Sequence, residues 1–526
     1  MRRWISPLLA GAAAGAVANA TVLRLNPEIN QSLPAVFALA PAWMSWGAVG
    51  AGLPLLLLGT LLRRLRRGEE ERWRLPGFMA LVYAVAAVMS WVNAELHPEF
   101  VSRTGQRILR QDAHVWLAAM VFALLVAAAF GRNARSRLLR VGFAAVLLAL
   151  PLVRLATNPT VVRRPLEVVP RPLGVPSRPM LVVGVEGLDR GTLLAHAGER
   201  LSTLDRLQRE GSVGPYLPNP PYLRRSLWTS VATGTWPGTH GVKSRWAWKL
   251  PLGFGEPLRL LPWTPQGSRL ILPWGLASRV EPPPATVPAL WERLRASDVR
   301  APVLDWPGIW SGSAGVTRVD PVEPGVGLDA ALDASLERAM AKFPDEAPAL
   351  RAAVARDLER VAIARRALDD GARTAWVFLE SVAAARIPLE PVRPVHTEER
   401  SLLELMMELL DEELAELMDA AGPDVLVAVV SPYGLAPPTP WERLRRLLGV
   451  GGTWRTSAET SPEGIVLLYG PGVLPGGALP PMRMPDLAPT LCYLVDLPVA
   501  QYMEGRVMSE VIEPEFLETH PLRVVD

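Results

Sequence analysis

Hydrophobic and polar positions divide this chain into two unlike parts. Before residue 160 the apolar residues come in long blocks, roughly Ile5–Leu23, Val36–Leu62, Pro76–Val92, Ala113–Phe130 and Val141–Leu155. Most approach the ~20 residues that a helix needs to cross a bilayer, the fifth being the shortest. After residue 180 the apolar runs shorten to pieces such as MLVVGV, TAWVFL and DVLVAVV, separated by stretches whose Leu, Met and Ala recur at helical spacing. Short continuous apolar runs predict buried parallel strands, and their alternation with helices predicts a sheet covered on both faces. Between the two parts, 157–179 is rich in Pro and Arg, which suits neither a helix interior nor a central strand and predicts an extended tether. The expected organisation is a transmembrane helical region over 1–156, the tether over 157–179 and an α/β domain over 180–526.

Charge then orients the first part. Arg2 and Arg3 precede the first block, Arg63, Arg64, Arg66, Arg67, Arg72 and Arg74 lie between the second and third, and Arg132, Arg135, Arg137 and Arg140 between the fourth and fifth. Short basic loops stay in the cytoplasm. Five crossings put everything after residue 160 outside the cytoplasm, whereas four would leave it inside. The expectation is a multi-pass protein of the cell membrane with an extracytoplasmic large domain. Ala16-Val17-Ala18 resembles a cleavage cue, but the blocks that follow at once argue for a retained helix. Glu95 and His97, in a loop over Asn93–Asp112, suit headgroup contact better than a transport relay. The net charge of +3 comes from Arg beside apolar blocks rather than from basic residues interleaved with aromatics, which excludes a nucleic-acid partner. Cys492 is the only cysteine, so there is no internal disulfide and no Cys-x-x-Cys metal motif.

The candidate chemistry lies between Met180 and Val242. The run MLVVGV leads into Glu186, and open α/β sheets hold ligands at the C-terminal ends of their strands. Further on, RRSLWTSVATGTWPGTHGV reads as a loop entering a short helix that Gly234 and Pro237 end. This pair of motifs resembles the alkaline phosphatase superfamily, in its type I phosphodiesterase/nucleotide pyrophosphatase family. The likeness continues through VPALWERLRASDVRAPVLDWP and a closing MPDLAPTLCYLVDLPVAQYMEGRVMSEVI, where Glu504-Gly505-Arg506 stands for the family's D-G-R. It implies an alkaline-phosphatase-like, mostly parallel sheet between helix layers, here preceded by about five transmembrane spans. It also implies phosphodiester chemistry on two metal ions, usually zinc, held by Asp and His.

Transferred residue by residue, the resemblance falls on the wrong side chains. The first Asp becomes Glu186 and the nucleophile, ten residues before Gly234, becomes Arg224. The strand-end D-x-x-x-H falls on Ala383 and Ile387, the Asp-His pair on Pro432 and Tyr433, and the last His on Thr460. Arginine stays protonated and cannot act as a nucleophile. His240 belongs to the signature and reads as structural. The sequence therefore predicts no metal and no cofactor, and a Glu186–Arg224 ion pair where metal and nucleophile would be. Arg224 and Arg225 are candidate anion-binding residues. The favoured function is a catalytically inactive, membrane-anchored pseudo-phosphodiesterase with a scaffolding or ligand-binding role, whose partners are the membrane, other membrane proteins or an anionic ligand. The alternative is a metal-dependent hydrolase or phosphotransferase with a rearranged site built from Glu186, Ser226, Thr229, Asp305 and Glu380.

Three further expectations concern local structure. Asp189–Glu210 reads as one helix. Lys249–Thr286, rich in Pro, Gly and Trp, reads as a long surface excursion that covers a site, binds a partner or has no role. The two Ala/Arg/Glu-rich helices of Leu328–Asp370 read as having solvated charged faces.

Overall fold

The computed structural model describes residues 2–27, 33–65, 74–96, 99–101, 103–129, 134–157, 169–196, 201–219, 223–243, 246–249, 257–262, 278–308, 316–317, 330–341, 347–386, 401–435 and 463–526. The chain forms two compact units: Met1–Leu166 with Lys243–Pro283, and Glu167–Val242 with Pro284–Asp526. The excursion expected on the surface of the large domain thus belongs to the first unit.

That first unit is helical: α1 (Arg2–Leu25), α2 (Leu33–Gly50), α3 (Gly52–Leu65), α4 (Arg74–Leu96), α5 (Arg103–Ala129) and α6 (Ala134–Thr157). Among the described residues, three helical stretches are long and apolar enough to cross a membrane: Ile5–Leu25, Leu75–Glu95 and Arg103–Val126. Trp43–Leu58 and Ala145–Thr157 are shorter apolar helices. Outward apolar side chains such as Leu57, Val88 and Leu125, each more than 60% exposed, suit a lipid surrounding.

The second apolar block is not one helix but two, with a turn at Ala51. Pro54 explains the break: it has no N–H for the Gly50 carbonyl, and its ring crowds that carbonyl. α1 and α2 run antiparallel and very close. A Cβ on Gly11 would stand 2.4 Å from Gly47 O, and one on Gly47 would stand 2.2 Å from Gly11 O. Gly11 and Gly15 form the small-xxx-small spacing that lets helix backbones touch in lipid.

A second correction concerns α5, which begins at Arg103 rather than near Ala113, so Arg103–Asp112 is helix and not loop. Asp112 is consequently buried. It accepts from Arg24 Nε at 3.1 Å and from Arg154 Nε at 2.7 Å. Glu95, in the last turn of α4, pairs with Arg110 at an exposed position, and His97 lies outside the described residues. Asn26, just past α1, grips the excursion. Its Oδ1 accepts from Arg259 N (2.7 Å) and Leu260 N (2.8 Å), and its Nδ2 donates to Leu260 O (2.6 Å). Leu258 packs with Val22, Leu23, Trp43 and Leu155 at the same end of the helices. Two short strands of the excursion, Ala247–Lys249 and Ser278–Val280, pair antiparallel.

The second unit is the α/β domain. Its strands are β1 (Met180–Val185), β2 (Ser212–Leu217), β5 (Val303–Leu304), β6 (Val316–Thr317), β7 (Thr374–Leu379), β8 (Leu426–Tyr433), β9 (Glu463–Tyr469), β10 (Gly477–Ala478) and β11 (Met482–Arg483), β3 and β4 being the two strands of the excursion. They run in the order β10-β2-β9-β8-β1-β7-β5-β6, with β11 also on β2. Pairing is parallel except along β9, which is antiparallel to β8 and β2. A pair of short strands, β12 (Val499–Ala500) and β13 (Val524–Val525), stands apart. Two apolar layers sandwich the sheet. One includes Trp228, Trp291, Trp306 and Trp376, and the other includes Leu204, Leu350, Val354, Leu410 and Leu414.

Local chemistry sets several boundaries. The segment Asp189–Glu210 is two helices, α7 (Arg190–His196) and α8 (Ser202–Glu210), and 197–200 between them lies outside the described residues. Asp411 caps α8 from another helix, its carboxylate accepting from the amides of Thr203 (3.2 Å) and Leu204 (2.6 Å). Gly184 of β1 leaves room for the Trp228 and Trp306 rings, since a Cβ there would lie 2.8 Å from Trp228 and 3.0 Å from Trp306. The described part of the tether, 169–179, contains neither helix nor strand. The amides of Leu173 and Gly174 both donate to Ser297 Oγ at 2.9 Å.

Candidate functional site

Three carboxylates stand at the C-terminal ends of neighbouring strands. Glu186 follows β1, Glu380 follows β7 and Asp305 follows β5, and the register places Val185 beside Leu379. Asp305 adopts a positive φ of 50° at its strand end. Each carboxylate meets arginine. Arg224 begins α9 (Arg224–Thr233) and its Nε donates to Glu186 Oε1 at 2.7 Å. Arg360 donates to Asp305 at 2.8 Å, to Asp357 at 2.6 Å and to Glu380 at 3.4 Å. Arg356 donates to Glu380 at 2.6 Å. The ring of Phe378 lies beneath both Arg224 and Arg360, with guanidinium carbons 5.3 and 6.0 Å from its centroid.

Glu186 is buried, and Tyr433 joins it. The Tyr433 hydroxyl donates to the same Oε1 at 2.6 Å, while Oε2 has no hydrogen-bond partner among the described residues. Burial, reinforced by the negative charge of Glu186, pushes the Tyr433 pKa well above its usual value, so the hydroxyl keeps its proton. Burial works against the charge of Arg224, but Glu186 outweighs it and the pKa is raised. The helix dipole opposes a cation at this position by about 0.3–1 kcal/mol, and the ion pair offsets that cost. About a third of the Arg224 side chain is exposed. Among the described residues its two Nη groups have no hydrogen-bond partner, so a fork of N–H donors remains available. Arg225 is partly exposed beside it.

The other expected positions carry no metal donor. Ala383 is buried, and Pro432 lies within β8, opposite a Gly464 whose Cβ would collide with Ser431 O at 1.9 Å. Ile387 and Thr460 lie outside the described residues. Among the described residues no three His, Cys, Asp or Glu side chains come together as a metal site. Glu186 spends one oxygen on Arg224 and Tyr433, so the donors in place do not fit the two-metal group that the resemblance implies. Of the rearranged set, Ser226 is wholly buried with no hydrogen-bond partner among the described residues, and Thr229 Oγ1 donates back to Arg225 O within α9.

The signature around Thr233–Gly241 is a scaffold. Gly234 caps α9 with φ 68°, the left-handed conformation that glycine adopts freely. His240 is fully buried: its Nδ1 accepts from Val242 N at 3.1 Å, so Nε2 carries the hydrogen and donates to Ser230 Oγ at 3.0 Å. Glu504 locks the loop from the closing element, its side chain accepting from Trp236 N and its own amide donating to Gly234 O, both at 2.8 Å.

Residues 180–316 match the family model described as type I phosphodiesterase / nucleotide pyrophosphatase. Over that stretch the α/β unit is similar to this family of the alkaline phosphatase superfamily. No curated protein matches the sequence. Solved structures that resemble this chain include murine ectonucleotide pyrophosphatase / phosphodiesterase 5, at 12% identity and a TM-score of 0.39 over 61% of this chain and 95% of that one. The wild-type alkaline phosphatase PafA has 12% identity and a TM-score of 0.40 over 66% and 100% of the two chains. A 2-O GAG sulfatase has 12% identity and a TM-score of 0.38 over 63% and 73%.

The sequence reading missed Arg356, Asp357 and Arg360, which it placed on a solvated helix face. Asp357 and Arg360 are buried, and Asp357 also accepts from the amides of Glu380 and Ser381. The signal was present: within Ala347–Asp369 both fall on the stripe of Leu350, Val354, Val361, Ala364 and Leu368 that faces the core.

Proposed function

We propose that this chain is a membrane-anchored, catalytically inactive member of this family, whose strand-end site holds an oxyanion-bearing ligand without turning it over. The observation that carries this reading is Arg224 itself. It occupies the place where the resemblance puts the nucleophile, is held by Glu186 through Nε, and leaves about a third of its side chain exposed. A guanidinium fork suits two oxygens of a phosphate, sulfate or carboxylate, and the first amides of α9 favour the same charge. Supporting the loss of chemistry, arginines neutralise the carboxylates where a divalent ion would otherwise do so.

The reading includes a five-pass topology with the large domain outside the cytoplasm. What supports it is Asp112, which pairs with Arg24 at the end of α1 and with Arg154 near the end of α6. The C-termini of the first and last helices therefore share one pole, opposite the N-terminus, as an odd number of crossings requires. Other membrane proteins remain the expected class of macromolecular partner.

The test is calorimetric titration of the purified full chain with inorganic phosphate and with a soluble phosphodiester, wild type against Arg224→Gln. Saturable binding that the substitution abolishes is expected, with no hydrolysis in zinc or manganese. Hydrolysis that falls on Ser226→Ala would overturn it.

A further inference from the structure

From the described residues of the excursion, 246–249, 257–262 and 278–283, we infer a second membrane contact, a ribbon in the headgroup layer that binds anionic phospholipid. The inference rests on the helical unit lying in a bilayer and does not depend on whether the α/β unit is catalytic. Three observations carry it. First, position: Asn26 holds the backbone of Arg259 and Leu260 one residue past the end of α1, and Trp248, Leu258 and Leu261 pack with Val22, Leu23, Trp43 and Leu155 at the ends of α1 and α6. Trp248 and residues 258–261 therefore sit where the apolar part of the bundle ends. Second, composition: residues 243–283 contain six Lys or Arg against two Glu, and four Trp. Tryptophan beside basic residues is the chemistry of a membrane–water interface. Third, presentation: β3 and β4 pair Trp248 with Arg279 and Lys249 with Ser278, and Lys249, Ser278 and Arg279 are exposed. The Arg279 guanidinium lies 3.1 Å from the centroid of the Trp246 ring. Lys243 and Arg259 are turned inward and buried, so among the described residues Lys249 and Arg279 supply the outward charge of the ribbon.

The occupant is an anionic headgroup in a bilayer. The phosphate of phosphatidylglycerol offers these side chains an acceptor, and zwitterionic phosphatidylcholine adds a cation that opposes them.

The test uses the full chain in nanodiscs of pure phosphatidylcholine or of phosphatidylcholine with phosphatidylglycerol. Lipids co-released with the protein are counted by native mass spectrometry. Wild type should retain phosphatidylglycerol preferentially, K249Q/R279Q should lower that preference by about tenfold or more, and the charge-keeping K249R/R279K should restore it. Equal retention by wild type and K249Q/R279Q would overturn the inference. So would equal amide-exchange protection of wild-type residues 246–249 and 278–281 in the two kinds of nanodisc, a readout that needs no variant. Failure to enter either nanodisc would overturn the bilayer reading beneath it.

Discussion

Glu186 and Arg224 meet at 2.7 Å, at the point where the family's resemblance would place a metal ligand and a nucleophile. The pair is asymmetric, with about a tenth of the Glu186 side chain exposed and about a third of Arg224. Removing one partner strands a largely buried charge. Arg224→Gln should destabilise the full chain by about 2–3 kcal/mol, less than the 3–5 typical of a wholly buried pair because solvent screens part of Arg224. E186Q/R224Q should recover at least half of that loss. Denaturant titrations on the wild type, both single variants and the double variant give the coupling directly, and additive effects would show that the two side chains do not support each other.

This relationship was legible in the sequence for a simple reason. Glu186 ends an apolar run and Arg224 stands a fixed distance before a glycine that caps a helix, so both are set by local grammar. The same holds for the strands β1, β7 and β8, each built on a short apolar run, although β8 continues past Val430 through Ser431 and Pro432 to Tyr433. What local grammar could not supply was partnership across the chain. Arg360 reaches Asp305 and Glu380, which lie on other elements, and Asn26 grips a segment far along the chain, so nothing near either residue announces its partner. The break at Ala51 was different: Pro54 was in plain view, but the hydrophobic block hid it.

A second buried carboxyl gives a pH prediction. Glu413 is almost fully enclosed, and neither of its oxygens has a hydrogen-bond partner among the described residues. Burial, and next the charge of Asp357, push its pKa well above the usual value. Asp357 already holds Arg360 and the amides of Glu380 and Ser381, so the proton goes to Glu413. A carboxyl with a raised folded pKa binds its proton more tightly folded than unfolded. Its contribution is therefore fully present below the unfolded value of ~4.3 and is lost as pH rises toward the folded one. Wild type should lose more stability than Glu413→Gln between pH 5 and pH 8. Parallel stability profiles for the two proteins would contradict this.

Topology can be read with a single added thiol. Cys492 is buried, and burial pushes its pKa up to about 12, which leaves it unreactive in the folded protein. A cysteine appended after Asp526 should therefore dominate labelling. In intact cells a membrane-impermeant maleimide should modify it without permeabilisation. Labelling only after lysis would put the large domain in the cytoplasm and refute the five-pass arrangement.

The central claim is that guanidinium groups stand where the resemblance calls for divalent ions. Its most direct test is the metal content of the purified full chain after incubation with excess zinc and removal of unbound ions. The account predicts no zinc retained in stoichiometric amount, by wild type or by Arg224→Ala. Two tightly held ions per chain in the wild type would contradict it.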